Sequence, residues 1–204
     1  MKVRFDLLLF DLGGVLVENE GPARLASWLP NITSDELILD QWLTSPVVRA
    51  FERGRMKPLS FADTVVKELA LPITSSEFLT DFAEWVTQLY PGTENLLQQL
   101  AGSYKLGCLS NTNVLHWQRM SEVMHMDTLF DYHFVSYEMG LLKPDHEVFL
   151  HVIEQTGYAP ERILYFDDSQ CNVDSAEAVG IVARKTLGLT EVYSALNKDI
   201  PGLL

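Results

Sequence analysis

The sequence predicts an α/β protein: a Rossmann-like parallel sheet covered by helices, with a helical bundle inserted near its start. Short apolar runs alternate with segments of helical periodicity, which is typical of βα units in a parallel sheet. The first two predicted strands lie too far apart in the chain for one ordinary crossover, so the residues between them must form a unit of their own. Acidic, glycine and hydroxyl-bearing residues follow the strands, at the edge where open parallel sheets bind ligands.

The predicted strands cover residues 6–10, 105–109, 134–136, 163–166 and 181–184. The predicted core helices cover residues 94–100, 114–124, 146–156 and 173–179. Each strand except the last is followed by a helix-like segment. Gly157 and Gly180 stand where they can cap the last two helices, because glycine readily adopts the left-handed conformation found there. These elements assign residues 1–18 and 90–204 to the α/β core domain.

Residues 19–89 are predicted to form the inserted bundle, with its helices within residues 21–89. Residues 33–36 (Thr-Ser-Asp-Glu) and 74–77 (Thr-Ser-Ser-Glu) match capping boxes. Ser45, which precedes Pro46, and Ser60 mark two further helix starts. Apolar side chains then recur at helical spacing; they include Leu37, Ile38, Trp42, Phe78, Phe82 and Trp85. We expect these side chains to form the core of the bundle and not a cofactor site.

Composition narrows the possible partners. The chain has 204 residues, 47% of them hydrophobic and 21% charged, as in soluble globular proteins. Its formal net charge of −13 repels nucleic acid and anionic membrane surfaces, so we expect neither as a partner. The apolar run before Asp11 is too short for a signal peptide or a membrane span, and the two cysteines, Cys108 and Cys171, fit a reducing cytoplasm. The pattern indicates no particular oligomeric state.

Four segments should meet at the carboxyl edge of the predicted sheet. They are residues 11–14, 110–113, 140–145 and 167–172. Asp11 and Asp168 offer the hard oxygen ligands that Mg²⁺ prefers. Ser110 and Asn111 offer a hydroxyl, an amide and backbone N–H groups at a helix amino terminus, which suits an anion. Lys143 adds a mobile ammonium group. Together these groups would offset the charge on a phosphoryl group during an in-line attack, so a small phosphorylated metabolite is the expected partner.

With these motifs and the inserted helices, the chain resembles the haloacid dehalogenase superfamily of Mg²⁺-dependent phosphohydrolases, of the type with a small helical cap. The resemblance implies that Asp11 is the nucleophile and forms an aspartyl phosphate that water hydrolyses. It implies that Ser110 is the phosphate-binding hydroxyl, Lys143 the loop lysine and Asp168 the metal-binding acid. It further implies that residues 19–89 are the cap.

The resemblance also assigns Mg²⁺ ligation to Asp11, the backbone carbonyl of Gly13 and Asp168, with Asp167 and Asn172 in support. Gly13 stands where the family usually has a second aspartate, a general acid/base worth about 10²–10⁴-fold in rate. The motifs are most similar to those of bacterial sugar-phosphate phosphatases that act on glucose 1-phosphate. A sugar 1-phosphate leaves as a hemiacetal, which needs less protonation than an ordinary alcohol. We therefore hypothesise that Gly13 is linked to the choice of substrate.

Three other functions compete with a phosphatase. A binding or regulatory protein on the same scaffold would have lost turnover with the second aspartate, but Asp11, Lys143 and Asp168 are all retained. A dehalogenase would need no metal, and the adjacent carboxylates of Asp167 and Asp168 would then repel each other. A phosphomutase would need the acid/base that Gly13 lacks.

Four residues can be explained by a structural role as well as by a functional one. Asp167 and Asp168 can form an acidic turn before a helix that begins near Asn172. His116 can act as a substitute acid/base, but a helix histidine that is exposed or satisfied by a partner is favoured. Arg53 can reach towards a substrate from a turn between inserted helices, but a surface arginine is favoured.

Overall fold

The computed structural model describes residues 5–29 and 41–203. Its central sheet is parallel, with the strand order β5-β4-β1-β6-β7. These strands are β1 (Leu7–Phe10), β4 (Lys105–Ser110), β5 (Tyr132–Val135), β6 (Ile163–Asp167) and β7 (Val182–Lys185). The predicted fold class is confirmed, and each predicted strand is present within two residues of its predicted bounds. Ser136 is an exception in detail, since it begins a short helix instead of ending β5.

Strand β1 is the central strand of the sheet, since it pairs with β4 on one side and with β6 on the other, and all four of its residues are buried. Leu8 and Phe10 belong to the hydrophobic cluster on one face of the sheet, and Leu7 and Leu9 belong to the cluster on the other. This division follows from the two-residue period of a strand. The central position of β1 brings the next residue, Asp11, to the middle of the carboxyl edge.

Helices cover both faces of the sheet. The core helices are Thr93–Ala101, Val114–Met124, Met126–Leu129, Ser136–Met139, His146–Thr156, Gln170–Ala178 and Gly188–Asp199, with a 3₁₀ turn at Pro160–Arg162. In the described part of the chain, no helix has the length and apolar content needed to cross a bilayer.

Three predictions about the core helices can be compared with these bounds. Both predicted glycine caps are confirmed. Gly157 directly follows its helix with φ of 69°, and Gly180 follows Val179 at the end of its helix with φ of 91° and donates its N–H to the Glu177 carbonyl oxygen at 2.9 Å. The helix expected to start near Asn172 is present and begins two residues earlier, at Gln170. The absence of a helix after the last strand was wrong: in Gly188–Asp199, Val192 and Leu196 are buried at helical spacing against the sheet.

The inserted helices are Gly21–Trp28, Pro46–Glu52, Pro58–Glu68 and Ser75–Ala83, and residues 41–44 are also helical. The second predicted capping box is confirmed: Glu77 N donates to Thr74 Oγ1 at 3.2 Å, and Thr74 N donates to Glu77 Oε2 at 2.8 Å. Ser45 precedes a helix as predicted, but Ser60 starts none, because its helix begins two residues earlier. The box at residues 33–36 and the following Leu37 and Ile38 lie outside the described residues.

Aromatic side chains form the core of the inserted helices, as predicted. Phe61 stacks on Phe51 with ring centroids 4.2 Å apart and also contacts Phe82, while Trp85 meets Phe82 edge-on at 4.8 Å. Phe78 and Trp85 are buried in the same cluster. Such aromatic contacts stabilise a small bundle beyond the area that they bury.

A two-stranded ribbon joins the inserted helices to the core. Its strands are β2 (Val17–Asn19) and β3 (Val86–Leu89), paired antiparallel. The prediction that the insertion is helical as far as residue 89 is therefore wrong at its end. Val86 and Thr87 are β-branched, and pairing with β2 satisfies their backbone, which favours a strand over a further helical turn. Both connections between cap and core run through this ribbon.

His116 lies between the core and the cap. Its Nε2 donates to the Phe82 carbonyl oxygen at 2.7 Å, its Nδ1 lies 3.1 Å from Asn113 Nδ2, and its ring stacks on Phe82. Burial lowers the pKa of His116 to about 4, against a smaller opposing effect of the Phe82 carbonyl. The imidazole is therefore neutral and paired at both nitrogens. The favoured structural reading of His116 agrees with these contacts.

Low pH should weaken the contact of His116 with Phe82. Because the pKa of His116 is about 4 in the folded protein and 6.5 for a free imidazole, the unfolded chain binds the extra proton as pH falls from 6.5 towards 4. We expect His116 to cost on the order of 2 kcal/mol of stability at pH 5 relative to pH 7.5. Denaturant unfolding of His116→Gln at both pH values should show less loss than the parent protein. His146→Gln, at an exposed position, should leave the loss unchanged; an equal loss in all three proteins contradicts the prediction.

Candidate active site

The carboxyl edge of the sheet brings the predicted site residues together. Asp11 directly follows β1, Ser110 ends β4, and Asp167 ends β6 with Asp168 next to it. Phe10 pairs with Cys108 on one side and with Phe166 on the other, so the strands end at nearly the same level. The backbone N–H of Asp11 donates to the Phe166 carbonyl oxygen at 2.8 Å and keeps this alignment one residue beyond β1.

Lys143 links two of these carboxylates. Its Nζ lies 2.9 Å from Asp11 Oδ1 and 2.7 Å from Asp167 Oδ2, and only 2% of the side chain is exposed. Burial lowers the pKa of Lys143, but the two carboxylates outweigh that effect and raise it above its ordinary value. The sequence predicted a mobile ammonium group. The structure shows one that is buried and held in place by two ion pairs.

Asp167 is fully occupied as a hydrogen-bond acceptor. Its Oδ1 accepts from the Ser169 backbone N–H at 2.8 Å and from Asn172 Nδ2 at 2.9 Å. Its Oδ2 accepts from Lys143 and from the Tyr165 hydroxyl. With four donors in place and no exposed surface, this carboxylate is built to orient Lys143. Asn172 contributes to the same arrangement from the first turn of its helix.

One oxygen of Asp11 is free to react. Oδ1 accepts from the Leu12 backbone N–H at 2.7 Å and pairs with Lys143, whereas Oδ2 has no hydrogen-bond partner among residues 5–29 and 41–203. Burial raises the pKa of Asp11 to about 7; Lys143 opposes the rise, and the charges of Asp167 and Asp168 add to it. A further positive charge near Oδ2 would therefore favour the ionised, nucleophilic form.

The donor set fits a hard divalent cation. Asp11, Asp167 and Asp168 each offer an oxygen, and these oxygens lie within 4.8 Å of one another. The oxygens of Asp167 are already used, which leaves Asp11 and the half-buried Asp168. Burial and the neighbouring Asp167 raise the pKa of Asp168, and the opposing effects of Lys143, a backbone hydrogen bond and Lys185 are smaller. A bound cation would stabilise its anionic form. Two protein carboxylates with no nitrogen or sulfur donor match the preference of Mg²⁺.

The two glycines after Asp11 face different surroundings. Gly14 has φ of 76°, and a Cβ there would lie 2.4 Å from Asp168 Oδ2. Position 14 must therefore be glycine for Asp168 to approach the Asp11 loop. A Cβ at Gly13 would meet only Asn19 Nδ2, at an ordinary 3.8 Å. Lack of space does not explain the missing side chain at Gly13.

The residues after β4 divide into two roles. Ser110 is buried, and its hydroxyl has no hydrogen-bond partner within the described ranges. The Asn111 amide, by contrast, holds the Lys143 backbone from both sides: Oδ1 accepts from Lys143 N at 2.9 Å, and Nδ2 donates to Lys143 O at 3.0 Å. The side chain predicted to contact phosphate thus fixes the position of the lysine.

Sequence reasoning missed the contacts between the cap and the site loops. The Ser136 hydroxyl lies 2.8 Å from the carbonyl oxygens of both Glu52 and Thr112. Arg53, considered as a residue that reaches towards substrate, pairs with Asp145 at 2.6 Å instead. The sequence signal for such a contact is a serine directly after an apolar strand. Its partner, Glu52, lies far away in the sequence.

Comparison with known proteins identifies the family. The family model of the haloacid dehalogenase-like hydrolases matches residues 5–180. The chain therefore belongs to this family, and the family recognised from the four motifs is confirmed. The enzyme class, phosphatase, is confirmed by relatives that share most of the chain.

Two relatives are phosphatases of different substrates. The chain is 28% identical to a sesquiterpene phosphatase of Aspergillus oryzae, over 89% of this chain and 90% of that protein. It is 24% identical to a D-ribitol-5-phosphate phosphatase of Bacteroides thetaiotaomicron, over 85% of this chain and 87% of that protein. Among solved structures, a HAD family enzyme of Bacteroides thetaiotaomicron in complex with magnesium and inorganic phosphate has a TM-score of 0.74 and 25% identity, over 89% and 93% of the two chains.

The close approach at Gly14 predicts an asymmetry between the two glycines. Gly14→Ala should strain the backbone by about 1–2 kcal/mol and displace the Asp168 carboxylate. A displacement of about 1 Å can cost roughly 10²-fold in rate. Gly13→Ala, where a Cβ has room, is the matched control and should lose much less. Phosphatase assays and thermal melts of both variants test this prediction, and equal losses in the two would contradict it.

Proposed function

We propose that this protein is a Mg²⁺-dependent phosphomonoester hydrolase that acts on a small phosphorylated metabolite through an aspartyl phosphate on Asp11. A sugar phosphate such as glucose 1-phosphate is the proposed substrate, and the cytoplasm is the proposed location. The observation that carries the proposal is the free Oδ2 of Asp11 beside the buried Lys143. A nucleophile oriented by a fixed cation, at the edge where three strands end, suits attack on phosphorus.

The proposed reaction has two displacements. Asp11 Oδ2 attacks phosphorus, the bond from phosphorus to the leaving oxygen breaks, and the departing alkoxide takes a proton from solvent. Water then attacks phosphorus and releases a proton to solvent, the bond from phosphorus to Asp11 Oδ2 breaks, and Asp11 is regenerated as a carboxylate. Lys143 supports both steps, because esterified Asp11 loses its charge and the ammonium can then pair with a phosphoryl oxygen. The Ser110 hydroxyl is proposed to donate to another phosphoryl oxygen.

The cation is proposed to bind to Asp11, the Gly13 carbonyl oxygen and Asp168. When bound, Mg²⁺ supplies positive charge that offsets the negative charge of the phosphoryl group. The crowded carboxylates support this assignment, as does the related enzyme whose structure contains magnesium and phosphate. Asp167 and Asn172 are proposed to act indirectly, by holding Lys143 and the start of the helix that follows β6.

The sugar phosphate class is supported by two independent points. A related phosphatase is named for D-ribitol 5-phosphate, whose leaving group carries several hydroxyls. Gly13 provides no acid to protonate a leaving alkoxide, which favours an acidic leaving group such as the hemiacetal of glucose 1-phosphate. Burial and the adjacent Asp167 raise the pKa of Asp168, so a cation beside Asp168 would stabilise its carboxylate, which disfavours a metal-free dehalogenase on this fold.

Replacement of Asp11 tests the proposal. With Mg²⁺ present, the parent protein should release phosphate from p-nitrophenyl phosphate and from glucose 1-phosphate, and Asp11→Asn should reduce kcat at least 10³-fold. EDTA should abolish the activity of the parent protein, and Mg²⁺ should restore it. Glycerol phosphate, which has a poorer leaving group, should be hydrolysed more slowly than glucose 1-phosphate.

Asp174→Asn provides the control, since Asp174 lies on the helix after β6 but pairs with Gln170 away from the site. It should retain parental activity. If the parent protein released no phosphate from any substrate, the alternative of a binding or regulatory protein without turnover would be favoured. Equal rates on glycerol phosphate and glucose 1-phosphate would contradict the link between Gly13 and the leaving group.

A further inference from the structure

Glu52 is carried by the cap to the loops of the site. It is the last residue of the helix Pro46–Glu52, and its carbonyl oxygen lies 2.8 Å from the Ser136 hydroxyl. The next residue, Arg53, pairs with Asp145 of the core. Gly54 then packs so closely that a Cβ there would lie 2.2 Å from the Tyr137 carbonyl oxygen. This turn of the cap is therefore fixed against the core. It contacts Asp145, which lies two residues after Lys143 in the chain, and Ser136, which directly follows β5.

The carboxylate of Glu52 has no partner of its own. It is half-buried, and it makes no hydrogen bond or ion pair with any other described residue. Arg49 and Arg53 lie near it but direct their guanidinium groups to Asp145, at 3.7 and 2.6 Å. Lys143 contributes a third positive charge nearby, although its ammonium pairs with Asp11 and Asp167.

This position is unfavourable for a carboxylate in the absence of a ligand. Burial raises the pKa of Glu52 to about 7 in spite of the opposing charges of Arg49, Lys143 and Arg53. A helix carboxyl terminus also repels an anion. A half-buried polar group without a hydrogen-bond partner carries a desolvation penalty that no contact in the described residues offsets. Donors supplied by a bound molecule would offset it.

We propose that Glu52 is a specificity-determining residue, whose carboxylate accepts hydrogen bonds from hydroxyl groups of the substrate's leaving group. This role rests on the proposed phosphatase function and names its substrate class: phosphate esters of neutral, polyhydroxylated alcohols. A second negative charge on the leaving group would meet the Glu52 carboxylate and be repelled. An apolar leaving group would leave the carboxylate unpaired.

The proposal predicts a strong discrimination between substrates. A site built to hydrogen-bond a hydroxyl rejects an analogue that lacks one far more strongly than an apolar pocket rejects an extra group. A hydrogen bond to a charged acceptor is worth about 1.5–3 kcal/mol, or roughly 10–100-fold in kcat/KM. D-ribitol 5-phosphate and glucose 1-phosphate should therefore exceed 2-phosphoglycolate by at least this factor.

The test measures kcat/KM with Mg²⁺ for these three substrates and for p-nitrophenyl phosphate. In Glu52→Gln and Glu52→Ala, the ratio of the better hydroxylated substrate to 2-phosphoglycolate should fall at least 10-fold. Activity on 2-phosphoglycolate should rise in Glu52→Gln, a gain that structural damage cannot produce. Glu68→Gln removes the charge of another cap carboxylate, exposed and far along the next helix, and should leave the ratio unchanged.

Each outcome decides the matter. An unchanged ratio in both Glu52 variants, in a protein that hydrolyses p-nitrophenyl phosphate, would overturn the role of Glu52 and leave the phosphatase intact. A uniform loss on all four substrates would also overturn it, because the residue would then only support the fold. If Glu52→Ala failed to fold, Glu52→Gln alone would carry the test. Absence of any phosphatase activity in the parent protein would instead contradict the proposed function.

Discussion

The site depends on one buried ammonium group. Lys143 Nζ lies between Asp11 and Asp167, and without it these two buried carboxylates would face each other with no counter-ion. No other cationic side chain forms an ion pair with Asp11 or Asp167 in the described residues. The position of Lys143 is itself fixed by Asn111, which holds its backbone from both sides. The lysine thus joins the loops after β1, β4 and β6 with the segment before the helix His146–Thr156.

This arrangement serves orientation more than stability. The free energy needed to transfer these charged groups from water into the protein interior is about as large as the free energy of their mutual attraction. Such a network is therefore weak evidence of a stabilising role. The stability of the core comes from the apolar clusters on both faces of β1. The ion pair with Lys143 orients the Asp11 carboxylate, because it holds Oδ1 in place and leaves Oδ2 without a partner in the described residues. A nucleophile needs that constraint, because small displacements reduce the rate steeply.

Sequence alone reveals the parts of this structure that depend on local pattern. Apolar runs located every strand of the sheet, and the four loops follow from the rule that parallel strands end at one edge. The partners of buried polar groups depend on residues far away in the chain. Sequence alone therefore did not predict that the Asn111 amide holds the Lys143 backbone, that Lys143 is buried, or that Ser136 contacts Glu52. The ribbon of β2 and β3 was hidden for the same reason, since each strand is too short to be recognised without its partner.

The central claim is that Asp11 itself becomes phosphorylated, and the stereochemistry at phosphorus tests it most directly. The substrate would carry a phosphoryl group made chiral with oxygen isotopes. The Mg²⁺-loaded enzyme would transfer this group to an alcohol acceptor, and the configuration at phosphorus in the product would be measured. Two in-line displacements through Asp11 predict net retention of configuration. Net inversion would show a single direct displacement and would contradict the account.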